Sequence, residues 1–354
     1  MDIAIRRSEQ SKPRPSVSEM GWGKYFTDHM FLMDFDADRG WHDARITPYE
    51  PFALDPAASV LHYAQGLFEG LKAIRQQDGK ICLFRPDRHC QRMTHSANRM
   101  CMPVVPPEAM IEGIRELVKI DQDWVPSAPN TALYIRPTLI GTEPFLGVRP
   151  SRSYTFFIIA SPVGAYYAEG FEPVSIWIES ECVRAARGGL GSVKAGANYA
   201  ASIFAAERAK KNGYSQVLWL DAAEHKYLEE VGTMNLFVMI DNVLITPALE
   251  GSILDGVTRS SVMTLLRSWN CEVIERPVSV DEIVSAHASG RLKEVFGCGT
   301  GAVISPVGVL GHKDKRLVLN GGKAGPMARR IFDELTGIQH GRIPDKHGWL
   351  LPLT

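Results

Sequence analysis

The sequence predicts an α+β fold in two domains. Three features carry that reading. Hairpin-forming strands are interspersed with helices instead of alternating with them in a βαβ pattern. At 354 residues the chain is long enough for two cores. A Pro–Gly stretch, Ser161-Pro162-Val163-Gly164, interrupts it near the middle, just before a new strand, where an interdomain connection would fall.

In chain order, residues 1–20 are polar, contain Pro13 and Pro15, and read as a flexible arm. His29–Asp36 and 44–49 read as strands joined by the turn at Asp38-Arg39-Gly40. A hairpin with Gln77-Asp78-Gly79 at its tip follows. Arg85-Pro86-Asp87 then opens a helix running to Met100. Met110, Ile111, Ile114, Leu117 and Val118 keep the three-four spacing of a buried face on a helix from Pro107 to about Trp124. Strands are expected at 131–140, 153–160, 174–178, 216–220, 231–240 and 242–246. A helix is expected behind Lys194 and another over 258–269. Ser279-Val-Asp-Glu282 is a capping-box sequence. Residues 295–304 read as one strand with an internal glycine cluster, and 326–335 as the last helix.

Composition excludes several functions. Formal net charge is −1, and no basic run with interleaved aromatics occurs, so neither nucleic acid nor an anionic membrane is an expected partner. No apolar run is long enough to span a bilayer. The six cysteines show neither a CxxC pair nor zinc spacing, which fits thiols in a reducing, cytoplasmic compartment and no metal site. Gly297-Cys-Gly-Thr-Gly-Ala302 resembles the dinucleotide fingerprint, but Val303-Ile304-Ser305-Pro306 follows it, not the helix that would hold a pyrophosphate.

The chemistry points to Lys194, set among glycines and small residues in Arg187-Gly-Gly-Leu-Gly-Ser-Val-Lys-Ala-Gly-Ala-Asn-Tyr199. A lysine in a partly dry pocket deprotonates easily and can attack a carbonyl. A pyridoxal phosphate (PLP) cofactor on that lysine would need an acid for its ring nitrogen, a donor for its phenolate oxygen and a cradle for its phosphate. Glu230 begins an apolar strand, whereas its neighbour Glu229 reads as a solvated acid at a turn. Tyr199 follows the lysine by five residues. Gly256-Val257-Thr258 leads into a helix whose N–H groups could hold a phosphate, and Thr300 stands between two glycines.

Leu61-His-Tyr63, Leu67-Phe-Glu-Gly-Leu-Lys-Ala73, Tyr134-Ile-Arg-Pro-Thr138, Gly141-Thr-Glu-Pro144, Glu230-Val-Gly-Thr-Met-Asn235 and Gly256-Val-Thr-Arg259, in this order, resemble a branched-chain amino acid aminotransferase. This resemblance runs from about Gly21 to the C-terminus. It implies the two-domain PLP fold type IV, like D-amino acid aminotransferase: a small α/β domain over 21–163, a linker over 164–175 and a larger barrel-like PLP-binding domain over 176–354. It implies that Lys194 carries the cofactor and moves the substrate proton, that Glu230 meets the ring nitrogen, and that Tyr199 donates to the phenolate. Arg92, Val257, Thr258 and Thr300 would hold the phosphate. Tyr63, Thr233 and the backbone at Gly301 would take the substrate α-carboxylate. Phe68, Tyr134 and Tyr166, with Trp22 as a further candidate, would line the side-chain pocket, and Arg136 would meet the γ-carboxylate of glutamate. The implied reaction moves the amino group of leucine, isoleucine or valine to 2-oxoglutarate in a homodimer whose active site lies at the domain junction. The alternatives are a fold type IV lyase and a transaminase of other hydrophobic amino acids.

The sequence departs from the resemblance in three places. Ala197 replaces the second of two glycines before Asn198-Tyr199, which would cost roughly 1 kcal/mol if the backbone there needs a positive φ. Gly301 replaces the usual alanine after Thr300. The CxxC pair of the animal enzymes is absent beyond it, so no thiol switch of that kind is expected.

Overall fold

The structure is a computed structural model that describes residues 2–164 and 171–353. It divides into two compact units, Met1–Tyr166 with Val193–Gly196 and Gly337–Thr354, and Tyr167–Ser192 with Ala197–Thr336.

The first unit is built on strands β1 (Ala4–Ile5), β2 (His29–Asp36), β3 (Gly40–Pro48), β4 (Gly66–Phe68), β5 (Leu71–Arg75), β6 (Ile81–Phe84), β7 (Ala132–Gly141) and β8 (Ser153–Val163). They lie in the order β1-β3-β2-β8-β7-β5-β6, with β4 on β7. Helices α2 (Pro86–Arg99) and α3 (Pro107–Ile120) follow a short α1 (Ser59–Tyr63). The apolar stripe of α3, with Met110, Ile114, Leu117 and Val118, is buried in one core with Phe31, Leu71, Leu133, Ile135 and Phe156 from the strands. Strand alternation therefore commits one face of β5 and β7 to this core and leaves the opposite face for Lys72, Tyr134 and Arg136.

The second unit holds β9 (Val174–Ile178), β10 (Gln216–Leu220), β11 (Leu228–Val231), β12 (Met234–Ile240), β13 (Val243–Thr246), β14 (Val273–Glu275), β15 (Leu292–Gly299), β16 (Val303–His312) and β17 (Lys315–Val318). Six of them, β11-β10-β9-β16-β15-β12, close into a barrel because β11 also pairs with β12. Its wall is apolar, and Ile176, Leu218, Val238, Val295 and Leu310 fill its core. The helices are α4 (Gly196–Lys211), α5 (Val257–Ser268), α6 (Val280–Ala288) and α7 (Pro326–Gln339). As the capping box predicts, the Ser279 hydroxyl accepts from the Glu282 N–H at 3.0 Å. A last strand, β18 (Leu350–Pro352), pairs with β6 of the first unit, a return for which 176–354 gave no signal.

Several expectations change. The N-terminal arm is tied down: Ala4 and Ile5 pair with Arg45 and Ile46, and Asp28 accepts from the Ser11 hydroxyl and the Lys12 N–H. Ser161, Pro162 and Val163 end β8, opposite Tyr134, Leu133 and Ala132. Pro162 fits there because the pairing of β8 with β2 stops at Ile158, leaving a local edge where a missing N–H is tolerated. The expected 231–240 strand is a hairpin of β11 and β12 turning at Gly232-Thr233, and 295–304 is split between β15 and β16 by a turn.

Candidate active site

Lys194 is positioned by its backbone. Its carbonyl accepts from the Phe68 N–H at 3.0 Å, its N–H donates to the Ser96 hydroxyl at 3.2 Å, and the next residue, Ala195, bridges to Leu67. The stretch that holds the lysine is thus sewn to β4 and to α2. Its Nζ lies 5.0 Å from the centre of the Phe68 ring. Arg136 also meets Phe68, with its guanidinium carbon 4.5 Å from that ring and 5.2 Å from Tyr134. Arg136 donates to the Tyr134 hydroxyl at 3.1 Å, while its Nε is buried without a hydrogen-bond partner. Trp22 completes the wall, 5.0 Å from Tyr134. Gly70 makes room, since a Cβ there would stand 1.9 Å from the Tyr134 hydroxyl.

Behind this wall lies an ion network that sequence reasoning missed. Glu69 is fully buried, accepts from Arg92 Nε at 2.7 Å and Nη2 at 2.8 Å, and takes the Nδ1 proton of His89 at 2.7 Å. Burial raises the Glu69 carboxyl, but the Arg92 charge, with the hydrogen bonds from Arg92 and His89, outweighs it and holds it far below the usual carboxylate range. Burial lowers His89 in spite of Glu69. Arg92, read as a phosphate ligand, therefore has two donors committed to Glu69, which fixes the plane of its fork. The signal was present in the sequence as a Glu beside Phe68 and an Arg on the next helix. Nothing in spacing alone joins them.

The second unit carries its own set. Glu230 lies on β11, 3% exposed, with Oε1 accepting from the Leu254 N–H at 2.9 Å and Oε2 3.0 Å from Arg184 Nε. The Arg184 contact is an ion pair without hydrogen-bond alignment. Arg184 donates through Nη2 to the carbonyls of Gly191, at 3.2 Å, and Ser252. Glu229 is not the solvated acid expected. It is buried, takes the Ser252 hydroxyl on one oxygen and has no partner on the other, and burial raises its carboxyl. Alternation within a closed barrel buries both faces of β11, which is why two consecutive acids are inside.

Three turns meet at this end of the barrel. Pairing of Asn235 with Cys298 places the Gly232-Thr233 turn beside the turn that carries Thr300 and Gly301. The start of α5 abuts them, because a Cβ on Gly256 would stand 1.8 Å from Asn235 Oδ1. No side chain caps α5, and Val257 and Thr258 in its first turn are buried. An uncapped helix start beside a buried carboxylate fits a phosphorylated pyridine: N–H groups for the anion and an acid for the ring nitrogen. Tyr199 is half-buried in the first turn of α4. Ala197 sits in that helix with ordinary φ, so the expected strain is absent and alanine is the better helix former. Strain is found instead at Val303, whose φ is 62°, a left-handed value unusual for a β-branched residue, two positions after Gly301.

Two expected residues stand apart. Tyr63 ends α1 with its ring 6.2 Å from His62 and outside the aromatic wall, and Tyr166 lies outside the described residues. Among the described residues no metal-binding cluster occurs and no helix is long and apolar enough to cross a membrane.

The profile of the family described as amino-transferase class IV matches residues 66–309. Branched-chain-amino-acid aminotransferase 2 of Bacillus subtilis is 50% identical over 98% of this chain and 96% of its own length. The crystal structure of Escherichia coli branched-chain amino acid aminotransferase superposes with a TM-score of 0.78 at 28% identity, covering 92% of this chain and 99% of that one. A second solved structure, a branched-chain amino acid aminotransferase with pyridoxamine 5'-phosphate, superposes at 0.75 with 26% identity, covering 91% and 98%.

Proposed function

This chain belongs to the class IV aminotransferases, and from that premise we propose how its own residues divide the work. It is a PLP-dependent branched-chain amino acid transaminase of fold type IV, with a six-stranded barrel. We read the amino acceptor as 2-oxoglutarate, the assembly as a homodimer and the compartment as cytoplasmic. The acceptor reading is supported by a branched-chain amino acid aminotransferase structure complexed with N-(5'-phosphopyridoxyl)-L-glutamate, and the compartment by six free thiols.

When bound, PLP supplies an electron sink that makes the proton on the substrate α-carbon acidic. Lys194 Nζ takes that proton and returns it, as the general base and acid of each half-reaction. Glu230, paired with Arg184, would hold a proton on the ring nitrogen. Tyr199 donates to the phenolate oxygen. The N–H groups of Val257 and Thr258, the Thr258 and Thr300 hydroxyls and Arg92 bind the phosphate, with Glu69 fixing the Arg92 fork. Thr233 and Gly301 receive the α-carboxylate. Trp22, Phe68 and Tyr134 keep water from an aliphatic side chain, and Arg136 meets the γ-carboxylate when glutamate binds.

The observation that carries the reading is the wall itself. Phe68 stands beside Lys194 and, with Tyr134, meets the Arg136 guanidinium, while Trp22 packs on Tyr134, which supports one pocket for apolar and acidic side chains. The test is borohydride reduction of the purified enzyme followed by peptide mapping. The pyridoxyl group should be found on Lys194, and its recovery on another lysine would overturn the assignment.

A further inference from the structure

Phe68, Gly70 and Lys72 recur every second residue along β4 and β5, on the face that the core does not use. Phe68 meets Lys194 and Arg136, Gly70 lies under the Tyr134 hydroxyl, and Lys72 pairs across the sheet with Tyr134. The Lys72 ammonium reaches the Trp22 ring, 5.7 Å from its centre. Trp22 and Tyr134 in turn pack on a small cluster of Ile74, Ala132 and Val163. The aromatic wall is therefore flanked by two cations: Arg136 toward Phe68, and Lys72 toward Trp22. Nothing in the division of roles above uses Lys72.

We infer that Lys72 is a second reader of the acidic substrate, its ammonium and the Arg136 guanidinium together meeting the side-chain carboxylate of glutamate or 2-oxoglutarate, while leucine, isoleucine and valine rely on the aromatic wall. This rests on the transaminase reading and on Arg136 as an anchor. The physical reason is the cost of placing a carboxylate in an aromatic pocket. One guanidinium, already donating to Tyr134, satisfies part of that charge, and a second cation on the same face satisfies more.

The pair also differs in titration. Burial pushes the Lys72 ammonium down to about 8, while an arginine stays charged. Lys72 faces the Trp22 and Tyr134 rings and, from the C-terminal segment, His340, which burial, Arg342 and Lys72 all hold below its ordinary value; Arg136 stands on the far side of the Tyr134 ring. As pH rises through about 8, Lys72 of the free enzyme becomes neutral, and a dicarboxylate must then bind against one cation or bring a proton with it, so its affinity falls. Leucine loses nothing at that step.

Single-turnover half-reactions of the holoenzyme with L-glutamate and L-leucine, from about pH 7 to about pH 9.5, test this. So does competitive binding of glutarate, an inert dicarboxylate, against 4-methylpentanoate. Glutamate and glutarate should weaken above pH about 8 beyond any change seen with leucine and 4-methylpentanoate. Lys72→Met should raise the KM for 2-oxoglutarate about ten- to a hundredfold and leave the leucine half-reaction within about twofold. Lys72→Arg should keep glutamate turnover and abolish its selective alkaline loss. Equal losses in both half-reactions, or a selective alkaline loss that survives in Lys72→Arg, would overturn the inference. A flat pH dependence of glutarate binding to the wild-type enzyme would do so without any variant. Arg136→Met separates the two readings: if it spares glutamate, the anchor itself is wrong; if it is selective and Lys72→Met is not, only the role of Lys72 falls.

Discussion

At the scale of single residues, the two charges that matter most do opposite jobs. In the proposed role Glu230 meets the cofactor as an anion, and in its buried strand Arg184 at 3.0 Å and the Leu254 N–H offset the cost of that charge. Glutamine in its place keeps the shape but cannot hold a proton on the ring nitrogen. Glu230→Gln should retain PLP and lose most turnover. Near-normal kinetics with unchanged absorbance would remove Glu230 from that role. Arg136 must be a cation only for one substrate. Arg136→Met should lower kcat/KM for glutamate by on the order of ten- to a thousandfold, the ~1.5–4 kcal/mol of a charge-assisted contact in a dry site, and change the leucine half-reaction far less. Separate half-reactions measure both. Lys194 and Glu230 stood out in the sequence as candidates, a lysine among glycines and an acid opening an apolar run, and the resemblance supplied the roles proposed for them. Glu69 and Arg184 were not, because an ion pair between distant segments leaves no local pattern.

At the scale of elements, the wall is a property of strand pairing. Tyr134 and Arg136 face the pocket because β7 alternates, and the Tyr134 hydroxyl settles over Gly70 because no side chain is there. Gly70→Ala should push that ring away, uncouple its hydroxyl from Arg136 and weaken glutamate more than leucine, by about tenfold, as substrate kinetics would show. An unchanged ratio of the two would mean that Tyr134 does not orient Arg136. Helices with a clear apolar stripe, such as α3, and strands with plain alternation, such as β9, were readable from periodicity. Ser161-Pro162-Val163 was not: proline and glycine chemistry says turn, and only the register with Ala132–Tyr134 turns it into strand. The turn at Gly299–Val303 was hidden for the opposite reason, since apolar residues continue on both sides of it.

At the scale of the molecule, the chain's end is structural. The Leu353 N–H donates to Ile81 at 2.8 Å, and its side chain joins the core of the first unit. Leu353→Ala should cost about 2–5 kcal/mol, the usual range for emptying a buried leucine site, read from denaturant unfolding. A loss below about 0.5 kcal/mol would show that the tail merely rests on β6. The barrel has a different consequence. Glu230 lies in β11, the strand whose pairing with β12 completes the ring, and its Cα partner across that pairing is Asn235. A ring has no free edge from which to fray, so the amides of β11 and β12 should exchange with deuterium only when the whole barrel opens. The placement of the acid proposed to meet the cofactor would then be as long-lived as the barrel itself, and a slow-exchanging core should coincide with the strand that carries Glu230.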